Sequence, residues 1–185
     1  MDVTIMMKVT WRHTTLHRPL GTFMQRKSLT RDECPIARSL DRVGEWWSIL
    51  IMRDALQGLR RFDEFSRSLG IAPNMLTRRL TALVEAGMLE RRAYSERPPR
   101  YEYVPTAKGE DFRMVLMSLV AWGNRHYAEE GTSVELVERD TGRPLQPMLA
   151  SAEGHIVPLD RCVLQAGPAA STGMRERLAS LAAKP

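Results

Sequence analysis

Cysteine is nearly absent. The chain has two in 185 residues, Cys34 and Cys162, far apart and without metal-ligand spacing. A disulfide scaffold and a zinc ribbon are excluded, and a reducing compartment is the default. Long apolar runs are missing too. The longest uncharged apolar stretch runs only from Met114 to Gly123, whereas a membrane span needs about 18 residues. No apolar leader core marks the amino terminus, so the chain reads as cytoplasmic with no membrane partner. No P-loop, H-E-x-x-H or G-x-S-x-G motif occurs. His13, His17, His126 and His155 stand at no ligand spacing. We therefore expect no enzyme, no cofactor and no metal. Lysine is scarce as well: 23 of the 27 basic residues are Arg, whose planar fork matches phosphate geometry better than an ammonium does.

What remains suits one compact domain with appendages: 43% hydrophobic and 26% charged residues, with a net charge of +5. Residues 1–23 lack helical or strand periodicity and read as a disordered basic tail or a mis-annotated start before Met24. From Cys34 the pattern is helical. Pro35 fits a first turn, Ile36, Ala37 and Leu40 share a face, and Gly44 ends the segment. Trp46 to Gln57 is apolar nearly all round, as a central helix is, with Gly58 as its stop. Phe62, Phe65 and Leu69 mark a short amphipathic helix before Gly70. A further helix from about Asn74 to Ala86 turns Leu76, Leu80, Leu83 and Val84 inward and closes at Gly87.

The period then falls to 2. Met88–Tyr94 and Tyr101–Val104 read as two strands around an exposed loop, 95–100. Thr106 is the expected N-cap of a long last helix reaching about Glu129. Residues 130–166 read as a small β-rich extension, beginning with Val134–Glu138. Residues 167–185 read as a mobile tail with one frayed helical turn near Arg175–Leu181.

Helix, turn, helix and basic ribbon form the layout of a winged helix-turn-helix: mainly α with a small β-hairpin wing. Only a helix or a ribbon enters the major groove, about 12 Å wide. With its leucines inward, the third helix of this layout presents Asn74, Arg78 and Thr81, flanked by Thr77 and Arg79. Arg pairs with guanine and Asn with adenine, so Asn74, Thr77, Arg78 and Thr81 are assigned to base edges. Arg61, Arg79, Arg92, Arg97 and Arg100 are assigned to phosphate or the minor groove. Residues 53–100 hold 10 Arg against six acidic residues, where a groove-facing surface belongs.

The run from Cys34-Pro35 through Gly44 and Trp47, Arg61-Phe62, Leu76-x-x-Arg79-Leu80-x-x-Leu83, Gly87-Met88-Leu89 and Tyr103-x-x-Thr106-x-x-Gly109 resembles the HxlR-type winged helix-turn-helix regulators over about Glu33 to Ala128. The resemblance implies a homodimeric bacterial transcription factor. It also raises a sensing role for Cys34 toward oxidants or electrophiles. Cys34 precedes a helix start, where backbone dipoles favour thiolate. The competing reading is a packed thiol.

Dimerisation also follows from the last helix, which is apolar on more than one face. Phe112, Val115, Leu116, Leu119, Trp122 and His126 are the expected interface. The resulting expectation is a homodimeric repressor on double-stranded DNA, reading a pseudo-palindromic operator and responding to a redox or small-molecule effector. The alternative is a protein–protein adaptor on the same fold, which has no need of a basic wing and recognition face.

Overall fold

The computed structural model describes residues 29–183; the expected tail or spurious start, residues 1–23, lies outside them. Four helices come first: α1 (Pro35–Val43), α2 (Trp46–Leu56), α3 (Phe62–Leu69) and α4 (Pro73–Glu85). The antiparallel hairpin of β1 (Leu89–Glu96) and β2 (Pro99–Pro105) follows, then α5 (Ala107–Asp111), α6 (Arg113–His126) and α7 (Thr172–Ala182). No helix among the described residues is long and apolar enough to cross a membrane.

The core lies where the sequence pattern puts it. Ile51 and Met52 of α2, Phe65 of α3, and Leu76, Leu80 and Leu83 of α4 are fully buried, closed from below by Met88 and Leu89. A side chain of this kind stabilises by about 1.5–3 kcal/mol when buried. Gly70, with φ +59°, ends α3 in the left-handed conformation, which glycine adopts without the strain a Cβ would bring.

Thr106 ties the wing to the end of α4. Its hydroxyl donates to the Gly87 carbonyl at 2.6 Å and accepts from the Gly109 N–H at 3.1 Å, while its own N–H reaches the Met88 carbonyl at 3.1 Å. A Cβ on Gly109 would lie 2.2 Å from the Met88 oxygen. The spacing Thr106-x-x-Gly109 is thus a contact requirement: one residue bonds to the strand, and the next turn must press against it.

Several expectations need correction. The single long helix after Thr106 is two helices. Phe112 ends α5 and starts α6 with φ −66° and ψ −13°, and its N–H bonds to the Gly109 carbonyl. This tight turn follows the Gly109 contact. The exposed loop 95–100 is mostly strand, because Ser95 pairs with Arg100 and Glu96 with Pro99, and only Arg97 and Pro98 form the tip. A bulge at Tyr94, between Ala93 and Ser95, carries the register past the irregular stretch. Polar composition signalled a loop, but the ladder uses backbone groups.

The expected β-rich extension, residues 130–166, contains no extended strand among the described residues. It has two single bridges, Val137 to Pro144 and Ala150 to Ile156. Pro147 lacks the N–H that the next hydrogen-bonded pair of either ladder would need. The frayed turn expected in the tail is instead a helix of 11 residues. Ser171 caps it, accepting from the Met174 N–H at 3.1 Å.

Candidate nucleic-acid interface

Helix α4 is oriented by its leucines. With Leu76, Leu80 and Leu83 at zero exposure, the 3.6-residue period leaves Asn74, Thr77, Arg78 and Thr81 exposed on the far side. Pro73 opens the helix at its first turn, where a missing N–H does no harm. The hydrogen bonds of this face are local. Thr77 donates to the Pro73 carbonyl at 2.9 Å, and Asn74 Oδ1 accepts from the Met75 N–H at 2.7 Å. Arg78 touches only the Met75 sulfur at 3.6 Å, so its planar fork stays available.

Arg79 departs from the expectation of a phosphate contact. It turns back to form an ion pair with Glu45 at 3.0 Å, its side chain only 16% exposed. It fastens α4 to the start of α2. Arg92 is also engaged, through an exposed pair with Glu90 at 2.8 Å. An exposed pair of this kind is screened by water and contributes little to stability.

The wing keeps its other charges open. Arg97 and Arg100 are exposed at its tip. Arg61 sits at the start of α3, its guanidinium 4.7 Å from the centre of the Tyr94 ring. Behind it, Glu64 accepts the backbone N–H groups of Arg60 and Arg61, each at 2.8 Å. Those two donors hold its carboxyl below the ordinary value. Tyr103 donates its N–H to the Arg60 carbonyl, so the start of α3 runs alongside β2. Arg61 and Arg100 thereby share a cleft of about 290 Å³ with Tyr94 and Tyr101. Two predicted backbone contacts, remote in sequence, are brought together.

Arg91 belongs to the basic wing cluster that the sequence shows, but sequence reasoning missed its aromatic partner: its guanidinium lies 3.5 Å from the centre of the Tyr101 ring. The signal was the placing of Arg91 and Tyr101 diagonally across the hairpin: Arg91 pairs with Tyr103, and Tyr101 is the next residue on that face. Stacking on an aromatic ring fixes a guanidinium while leaving its N–H groups outward.

The expected dimer surface divides. Val115, Leu119, Trp122 and His126 form an exposed stripe at i, i+4, i+7 and i+11 of α6, Trp122 at 53% exposure. Tyr127 joins it, its ring centred 5.0 Å from that of Trp122. Phe112 and Leu116 do not belong to the stripe. Leu116 is buried and Phe112 packs on the core of its own domain. Apolar character alone could not tell which face meets which neighbour. Ile36, Leu40 and Trp46, exposed near the start of the fold, were also missed as surface apolar groups, Trp46 stacking on Trp47. Cys34 is half-buried at the N-cap of α1 and is a free thiol.

Core, exposed recognition helix and basic hairpin define a winged helix-turn-helix protein of the DNA-binding class. Comparison with known proteins gives the family. A model described as HxlR-like helix-turn-helix matches residues 42–132. An uncharacterised HTH-type transcriptional regulator of Mycobacterium tuberculosis, Rv3095, is 35% identical over 147 residues, covering 78% of this chain and 90% of that one. Among solved structures, PA1374 of Pseudomonas aeruginosa, provisionally described as a transcription factor, is 77% identical with a TM-score of 0.60, covering 78% of this chain and all (100%) of the other. PA1607, described in the same terms, is 37% identical with a TM-score of 0.68, covering 76% and 99%. The chain belongs to the HxlR-like helix-turn-helix family and is a transcriptional regulator of the winged-helix type.

Proposed function

We propose that the protein is a homodimeric repressor that reads a pseudo-palindromic operator with α4 and holds the DNA backbone with its wing. The observation that carries this reading is the exposed row Asn74, Thr77, Arg78 and Thr81, whose polar groups make only local bonds. Bidentate Arg–guanine and Asn–adenine pairs need such free edges. Arg61, Arg97 and Arg100, with Arg92 released from Glu90, supply sequence-independent attraction. Arg79 acts by holding α4 at its angle.

The stripe Val115–Leu119–Trp122–His126 is the dimer contact. An exposed apolar stripe of this kind on a globular domain calls for a partner, and a second copy supplies two recognition helices for half-sites about 34 Å apart. Occupancy of promoter DNA by the dimer represses. Cys34 is the proposed redox input: its oxidation or alkylation at the N-cap of α1, a helix packed on α2 and α4, disturbs the seating of the recognition helix and weakens operator binding. Cys34→Ser should keep full affinity after treatment with diamide, whereas the native chain loses it. Equal loss in both would remove Cys34 from the scheme.

Fluorescence anisotropy tests the main reading, using a duplex from the gene's own upstream region, a scrambled control and a salt series. Tight, sequence-dependent binding with a steep negative salt slope is expected. If neither that duplex nor any member of a random-sequence selection is preferred, sequence-specific reading is wrong.

A further inference from the structure

We propose that a cleft between α6 and the C-terminal extension binds a small zwitterion, an α-amino acid with an apolar side chain. The cleft has a volume of about 360 Å³. Met117 and Val120 of α6 form one wall and Leu136 and Leu145 of the extension the other. Asn124 sets their separation, its Nδ2 donating to the Val134 carbonyl at 2.8 Å. The volume is at the low end of small-molecule sites, roughly 300–1,000 Å³, and suits a leucine- or phenylalanine-sized body.

Two charged groups select the class. Arg125 and Glu135 line the cleft from opposite elements. Among the described residues, Arg125 makes no ion pair or hydrogen bond, and Glu135 accepts only a long bond from the Thr132 hydroxyl, 3.3 Å. A simple carboxylate is attracted by Arg125 and repelled by Glu135, and a simple amine meets the reverse. A zwitterion satisfies both while its side chain drives water from the apolar walls. Residues 117, 120 and 121 ride on the side of α6 opposite Val115, Leu119 and Trp122, by the 3.6-residue period. A partner on the stripe therefore leaves the cleft open. The site does not depend on whether the chain represses.

The full nitrogen-15-labelled chain, titrated with L-phenylalanine, phenylpropionate and phenethylamine, tests the site. L-phenylalanine should give saturable amide shifts at Ala121, Leu136 and Leu145, with each one-charge analogue about tenfold or more weaker. Glu135→Gln should move the preference toward phenylpropionate, and Arg125→Gln toward phenethylamine. Both side chains are exposed, so the wing and α4 signals should stay unchanged and report an intact fold. The proposal is overturned by the absence of saturable shifts below about 10 mM, by equal affinity for all three probes, or by selectivity that ignores both substitutions. DNA affinity of the same samples without probe tests the regulator reading separately.

Discussion

Arg78 and Arg79 are neighbours in sequence with opposite roles. One presents its guanidinium to solvent; the other is folded under α4 against Glu45. Arg78→Ala should cost about 1–3 kcal/mol of operator affinity and relax the preference at one base position, read by anisotropy on single-base operator variants. Arg97→Ala should weaken all sequences alike and reduce the salt slope by about 1. Arg79→Ala should lower folding stability by about 1–2 kcal/mol in urea while leaving the salt slope in place. A reduced slope with unchanged stability would return Arg79 to the phosphate contacts. The leucine ladder made the helix face legible. It could not separate Arg78 from Arg79, because a long flexible side chain at the edge of a face reaches either way and its partner Glu45 is remote in sequence.

At the scale of elements, two carboxylates act as fasteners. Glu64 accepts two backbone N–H groups at the start of α3, which hold its carboxyl below the ordinary value of 4.5. A depressed native value contributes stability above the unfolded pKa and loses it as the pH falls through the native one. Glu64→Gln should therefore be less stable than the native chain at neutral pH, and the gap should narrow in acid, by urea unfolding at both. Glu33 does the same for the C-terminal segment. The Ser171 hydroxyl donates to it at 2.6 Å; the Ser171 N–H donates to its other oxygen, and both hold its carboxyl low. Ser171→Ala should raise hydrogen exchange across 172–182 while exchange in α2 and α4 stays constant. That latch was not legible: its partners are 138 positions apart, and a serine before a helical run announces a cap without naming what else it holds. The wing and the first four helices were legible because alternation, leucine spacing and terminal glycines agree there. In the extension they conflict, since the alternation of Val134–Glu138 runs out opposite Pro147, which lacks the N–H that the ladder needs next.

For the whole molecule, subunit association is the property to test. Trp122→Asp should shift the protein from dimer to monomer in sedimentation velocity and lower affinity for a two-half-site operator far more than for one half-site. A dimer that survives this change would move the contact to Ile36, Leu40 and Trp46. Helix α6 gives Leu116 to the core, Met117 and Val120 to the extension, and Val115, Leu119 and Trp122 to solvent. Only the arc through Met114, Ser118 and Arg125 points away from all three, and Arg125 reaches round to the cleft. Among diverging descendants of this gene, that narrow arc is where α6 can drift. A saturation library of the helix, selected for operator binding, should tolerate exchange at Met114 and Ser118 and reject polar residues at Val115, Leu116, Leu119 and Trp122, a degree of constraint unusual for a segment so near the edge of its domain.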